Sequence, residues 1–126
     1  LCLRLLKRAD TSQQMRKYLD IPLTVIFTLM VTGVMLWPLE QPAPAPEGGD
    51  KIVHIIAFAA LAFPLARTAR CGLLTVFICS SAFGAVIELI QPSFNRMADI
   101  NDWFADIAGV SLGIACGLLY RRIRKH

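Results

Sequence analysis

Residues 21–39, IPLTVIFTLMVTGVMLWPL, contain no charged side chain. A helix needs about 20 mainly apolar residues to cross the ~30 Å hydrocarbon core of a bilayer, and this run meets that requirement alone. Pro22 and Pro38 punctuate its ends. The stretch from Gln41 to Pro46, followed by Glu47-Gly48-Gly49, is too rich in proline and glycine to continue a helix. Beyond it lie three more apolar runs, at residues 52–68, 72–91 and 102–120. Lys51 and Arg67 bracket the first of these and can snorkel to the interfaces, and Pro64 is expected to kink or end it. Glu88 interrupts the next run near its last turn, and Pro92 closes it. The last run carries Asp106 one turn in and ends in a basic tail. Each later run alone suits a buried helix of a soluble protein. Four of them in 126 residues point to the membrane. The expected fold is all-α, a four-helix transmembrane bundle, with a basic leader at 1–20, a membrane domain at 21–120 and a basic tail at 121–126.

Composition agrees. Hydrophobic residues make up 56% of the chain and charged residues 17%, against about a quarter charged in soluble domains. The net charge of +4 raises the question of nucleic acid. The basic residues lie in short stretches between apolar runs, however, and no RNA-binding motif or basic–aromatic stripe accompanies them. The expected partner is a lipid bilayer, not nucleic acid. Cys2, Cys71, Cys79 and Cys116 form no Cys-x-x-Cys pair, and Cys79 and Cys116, inside apolar runs, are expected to serve as small packing residues.

The charges also orient the spans. The leader, the 67–71 connection and the tail together carry eleven basic residues against Asp10 and Asp20. The opposite side carries Lys51 and Arg96 against Glu40, Glu47, Asp50, Glu88, Asp99, Asp102 and Asp106. By the positive-inside rule both termini are expected in the cytoplasm. A cleaved signal peptide is the competing reading of the first run, because Ala43-Pro44-Ala45 has small residues at the right spacing. Pro46 would follow that cut and the basic leader is long for a signal, so an uncleaved span is expected. The leader, with scattered leucines and basic residues, is expected along the inner leaflet.

Ionisable residues at a membrane edge are costly and usually face a bundle interior or a cavity. Here they recur at the outer ends of three spans. Asp50 and His54 lie one helical turn apart, as do Glu88 and Gln91, while Asp99, Asp102 and Asp106 follow i, i+3, i+7 spacing. Arg96 sits in the short 91–101 connection, which makes the third and fourth spans antiparallel neighbours. Below Asp106, Gly109, Gly113 and Gly117 repeat the Gly-x-x-x-Gly spacing that lets membrane helices approach closely. Bland roles compete with functional ones. Asp50 and Asp99 suit helix N-caps, Asp102 can join the same cap, Lys51 can snorkel, and His54–Asp106 or Glu88–Arg96 can pair structurally. Glu88 and Asp106, each about a turn inside a span, favour a site.

The ordered set Asp50-Lys51-x-x-His54, Glu88-x-x-Gln91, Arg96, Asp99, Asp102 and Gly109 resembles the VanZ-like family over about residues 49–120. That family comprises small multi-pass membrane proteins, and its namesake is associated with low-level resistance to the glycopeptide teicoplanin. The resemblance implies a role in a bacterial cell envelope. One departure stands out, because the family often has Asn where this chain has Asp106.

Two mechanisms are consistent with these residues. In the first, an enzyme acts on a lipid-linked, phosphate-bearing envelope precursor. His54, with Glu88 and Asp102, forms the catalytic set, and Lys51, Gln91 and Arg96 bind substrate. Asp50, His54, Glu88, Asp102 and Asp106 are candidate ligands for a divalent cation. In the second, the same cluster binds an envelope component without turnover, or only closes the fold. A transport path fits less well, because the centres of the spans carry no ionisable residue.

Overall fold

The computed structural model describes residues 2–38 and 48–125. Glu40 and Glu47, counted above with the outer acids, and Ala43-Pro44-Ala45 lie outside the described residues. Four helices form: α1 Cys2–Met35, α2 Gly49–Thr68, α3 Leu73–Ile90 and α4 Ile100–Arg124, with a 3-10 turn at Gln91–Phe94. Each provides a stretch long and apolar enough to cross a membrane: Tyr18–Met35, Gly49–Thr68, Leu73–Phe94 (α3 with the 3-10 turn) and Ile100–Arg124. There is no strand among the described residues. The chain is an all-α protein of four membrane-spanning helices.

The helix boundaries follow local chemistry. Gly48, at φ 86°, makes the left-handed entry to α2 that a side chain would strain. Asp99 caps α4 by accepting the backbone N–H of Asn101 at 2.9 Å. Arg121, Arg122 and Arg124 occupy the last turn of α4, where cations complement the helix dipole. Pro22 lies inside α1 rather than at the start of a helix, so leader and first span are one continuous rod. Pro64 is likewise internal, and α2 continues past it to Thr68. In the apolar part of α1, Thr28 and Thr32 donate their hydroxyls to the carbonyls four residues back, at 2.7 Å each. A threonine thereby satisfies itself where no water is available.

Packing is tightest between α2 and α4. A Cβ at Gly109 would lie 2.4 Å from the carbonyl oxygen of Ile55, and one at Gly113 would lie 2.4 Å from that of Ala59. At Gly117 it would meet the Ala66 Cβ at 2.7 Å. The two backbones therefore touch along the whole glycine row. Lipid tails are as apolar as the helices, so close van der Waals contact, not water exclusion, holds such a pair. Around this seam Val31, Met35, Phe58, Leu61, Ala62, Val76, Ile87 and Val110 form the buried core. Leu29, Leu74 and Leu89 project outward, as lipid-facing residues should. Cys79 and Cys116 are exposed on this outer surface rather than packed in the interior.

At the end of α2 remote from Gly49, Asp20 is fully buried and accepts from Arg67 Nη2 at 3.2 Å. This pair joins α1 to α2.

Gly113→Ala is expected to lower the thermal unfolding midpoint in detergent, at a cost on the order of 1–3 kcal/mol from overpacking. Gly33→Ala, whose Cβ would meet nothing within 4 Å, should leave the midpoint unchanged or slightly higher. Circular dichroism melts of the two variants decide the matter, and equal midpoints would remove the glycine contact as the determinant of this helix pair.

Candidate functional site

The α2–α4 contact brings the first turns of both helices together with the last turn of α3. His54, on α2, is fully buried. Its Nδ1 lies 2.7 Å from Asp106 Oδ1, a hydrogen-bond distance, and 4.0 Å from Glu88 Oε1. Its Nε2 lies 4.0 Å from Asp102 Oδ2. One imidazole thus faces three carboxylates, all buried. Lys51 Nζ stands 3.7 Å from Asp102 Oδ1 and 3.8 Å from Asp99 Oδ2, at the half-exposed rim. Arg96 Nη2 lies 3.5 Å from Asp50 Oδ1.

The polar balance of this pocket is unusual. His54 Nε2, Glu88 Oε1, Asp102 Oδ1 and Asp106 Oδ2 are all buried with no hydrogen-bond partner. Buried polar atoms are nearly always satisfied in native proteins, and a concentration of exceptions marks a functional site, an ordered water or an ion. Carboxylates also outnumber the cationic groups here, three against one imidazole and one nearby ammonium, and a low-dielectric interior tolerates unpaired charge poorly. Two overlapping groups have the spacing of a metal site, Asp50–His54–Asp102 and His54–Glu88–Asp106.

Other contacts hold the frame. Glu88 Oε2 accepts the backbone N–H of Asp99 at 3.1 Å, which fixes the connection between α3 and α4. Trp103 Nε1 donates to the Ser81 carbonyl at 2.9 Å and straps the same two helices. Below, a Cβ at Gly84 would come within 2.7 Å of Asp106 Oδ2, so α3 forms the floor under that carboxylate. Outside the spans, the exposed Asp99 carboxylate is held below its usual pKa, chiefly by the Asn101 backbone N–H, with the Asn101 amide and Lys51 adding to the effect.

Asp50, Lys51, His54, Glu88, Arg96, Asp102 and Asp106 therefore meet at one end of the bundle. Gln91 does not join the contacts around His54. It is buried, and its Nε2 donates to the Met35 carbonyl at 3.2 Å, tying the end of α1 to the 3-10 turn. Of the structural pairs considered from sequence, His54–Asp106 forms, whereas Arg96 engages Asp50 and not Glu88. Asp99 is a cap, while Gly48 takes the cap position at α2 and leaves Asp50 in the first turn. The Asp20–Arg67 pair is not evident in the sequence, where both residues lie among the charges flanking the apolar runs. Its only signal was an acid at the foot of an otherwise uncharged run.

The VanZ/LLP1 family model matches residues 3–121 of the 126-residue chain. The protein belongs to the VanZ/LLP1 family. No curated protein and no solved structure matches it. The family match begins near the start of α1, beyond the stretch from Asp50 to Gly109 that first carried the resemblance. The first helix is thus part of the VanZ/LLP1 domain and not an appendage to a three-helix site.

Removing one partner of a buried hydrogen bond leaves the other unsatisfied, at a cost on the order of 1–3 kcal/mol and more where a charge is involved. Asp106→Ala is therefore expected to destabilise the detergent-solubilised protein strongly. Asp106→Asn keeps an oxygen to accept from His54 and should cost much less. A melting comparison in which the two variants are equally damaged would mean that charge, not the hydrogen bond, is what His54 requires.

Proposed function

We propose that this is a multi-pass protein of a bacterial inner membrane, with both termini in the cytoplasm, whose outward-facing site acts on a lipid-linked, phosphate-bearing component of the cell envelope. The observation that carries this reading is the juxtaposition of His54, whose Nε2 has no partner, with two rim cations, Lys51 and Arg96. An imidazole oriented through Nδ1 by a carboxylate and free at Nε2 is equipped to take or give a proton. Lys51 and Arg96 offer the positive charge that a phosphate and its transition state need. The depth of the site fits a headgroup. At 1.5 Å per residue, Asp106 lies about 9 Å along α4 from its start, within reach of the interface but shielded from bulk water. The charge asymmetry across the spans supports the orientation, and the family resemblance supports the envelope.

A second reading, a binder without turnover, draws on one specific contact. Glu88 spends one carboxylate oxygen closing the α3–α4 connection, so part of the cluster serves the fold itself.

Orientation is checked by labelling in whole cells. Asn95→Cys, in a background without native cysteines, should react with a membrane-impermeant maleimide, and Arg124→Cys should react only after permeabilisation. The reverse pattern would turn the protein over and place the site in the cytoplasm.

Function is checked in proteoliposomes containing a polyprenyl diphosphate, by phosphate release and by lipid retention. The wild type should release phosphate, His54→Ala should stop release while retaining the lipid, and Lys51→Ala or Arg96→Ala should weaken retention. Retention without release, lost gradually across the cluster, identifies a binder. Neither release nor retention sinks the lipid-phosphate reading.

A further inference from the structure

The geometry points to a transition-type divalent cation, Zn²⁺ or Mn²⁺, held by His54 Nε2, Asp102 and Asp50, with Asp106 as the residue that orients the imidazole; this deepens the reading above by naming what the site binds. The two nitrogens of His54 are in different situations. Nδ1 is 2.7 Å from Asp106 Oδ1, which is short for two ligands sharing one ion but suits an N–H donating to a carboxylate. That hydrogen bond fixes the tautomer and leaves the Nε2 lone pair free, the arrangement in which a carboxylate behind a histidine prepares it for a metal. Nε2 is buried in a side chain with no exposed surface and has no partner. Facing it at 4.0 Å is Asp102 Oδ2. Metal–ligand bonds of about 2.1 Å allow two ligands of one ion to stand up to roughly 4.2 Å apart, so an ion fits between them.

Asp50 supplies the third ligand: one of its oxygens lies within 4.8 Å of an imidazole nitrogen and of an Asp102 oxygen, while Oδ1 also stands 3.5 Å from Arg96 Nη2. One nitrogen and two carboxylates suit Zn²⁺ or Mn²⁺ better than Ca²⁺, which takes oxygen ligands. Three protein ligands leave positions open, as in catalytic rather than structural sites. Asp50 is exposed, whereas Asp102 and His54 are buried, so the open positions face the rim where Lys51 and Arg96 stand. The ion would supply Lewis acidity toward a phosphate oxygen there. Asp102 meets Lys51 with Oδ1 and the imidazole with Oδ2, so the lysine does not occupy the same oxygen. The alternative group, His54–Glu88–Asp106, would have to break the 2.7 Å hydrogen bond to admit an ion.

The test uses the full chain in lipid nanodiscs, stripped with chelator and titrated with Mn²⁺, with free ion read by electron paramagnetic resonance and Zn²⁺ added as competitor. The wild type should bind one ion per chain. Asp106→Asn should weaken binding about 10-fold, the low end for an orienting residue whose amide oxygen still accepts the proton. Asp50→Asn and Asp102→Asn should weaken it more, and Asp99→Asn not at all. A readout that needs no variant in the cluster comes from Mn²⁺-loaded His126→Ala protein, in which His54 is the remaining histidine. Pulsed spectra should then show coupling to an imidazole nitrogen.

No saturable binding, or no nitrogen coupling, overturns the assignment. So does binding lost in Glu88→Gln but kept in Asp50→Asn, which would move the ion to the other side of the ring. The titration contains no lipid phosphate, so its outcome is separate from the proteoliposome assay. Phosphate release that persists in chelator without bound ion would discard the metal and keep the lipid-phosphate reading.

Discussion

The close approach of α2 and α4 is the constraint on which the other features of this protein depend. Asp102, Asp106, Gly109, Gly113 and Gly117 lie along one row of α4, spaced three or four residues apart. The glycines let the backbone of α4 rest on the carbonyls of Ile55 and Ala59. One residue before Ile55 is His54, and directly up the row from Gly109 is Asp106. Backbone contact below therefore dictates hydrogen-bond contact above, and the 2.7 Å His54–Asp106 distance is a consequence of the seam. A methyl group at Gly109 would have to part the helices at the very turn where the imidazole meets its carboxylate.

Polar contacts then act as clamps at both ends of the same helix. At one end of α2 lie His54, Lys51 and Asp50, engaged by α4, α3 and the connection between them. At the other, Arg67 reaches the buried Asp20 of α1. Between them the core is apolar, with Phe58 packed against Phe83 at 6.0 Å between ring centroids. Apolar packing in lipid is weakly directional, because many rotations of a greasy helix cost similar amounts. Ion pairs and hydrogen bonds at the two ends select one rotation. The two ends are not equivalent, however. Asp20 has a guanidinium for its charge, whereas the His54 end has more buried carboxylates than cations. A purely structural clamp has no use for that surplus.

The apolar runs made the four helices legible in the sequence, and so did the convergence of acids at one face, because both follow from periodicity and from the cost of charge in lipid. Which helix the glycine row meets was not legible. The short connection at 91–101 made α3 the expected neighbour of α4, and α3 is indeed strapped to it through Trp103 and Ser81. The backbone contact, though, goes to α2, more than 40 residues away in sequence, and spacing within one helix carries no information about its partner. Gln91 misled for a related reason. A polar residue one turn from Glu88 shares its face on an ideal helix, but α3 ends at Ile90 and the chain tightens into a 3-10 turn. That change of pitch turns Gln91 toward Met35. Pro22 marks a boundary in the sequence because proline removes one hydrogen bond and crowds the preceding turn. At the foot of a membrane helix, that loss can be absorbed and the rod continues.

At position 106 the two roles of a carboxylate, accepting a hydrogen bond and carrying charge, can be told apart. An asparagine there would offer a carbonyl oxygen in the same place as the carboxylate oxygen that faces His54 Nδ1. It could accept the same N–H and hold the same tautomer. What it could not do is add charge. The orienting role is therefore indifferent to the substitution, while the local field is not. An imidazole backed by Asp106 is a stronger electron donor at Nε2 and a better-stabilised cation when protonated than one backed by an amide. Asp106 thus holds the imidazole and at the same time raises the negative potential around it. That potential falls on Asp102 and on the rim, where Lys51 stands near Asp102 and Arg96 near Asp50.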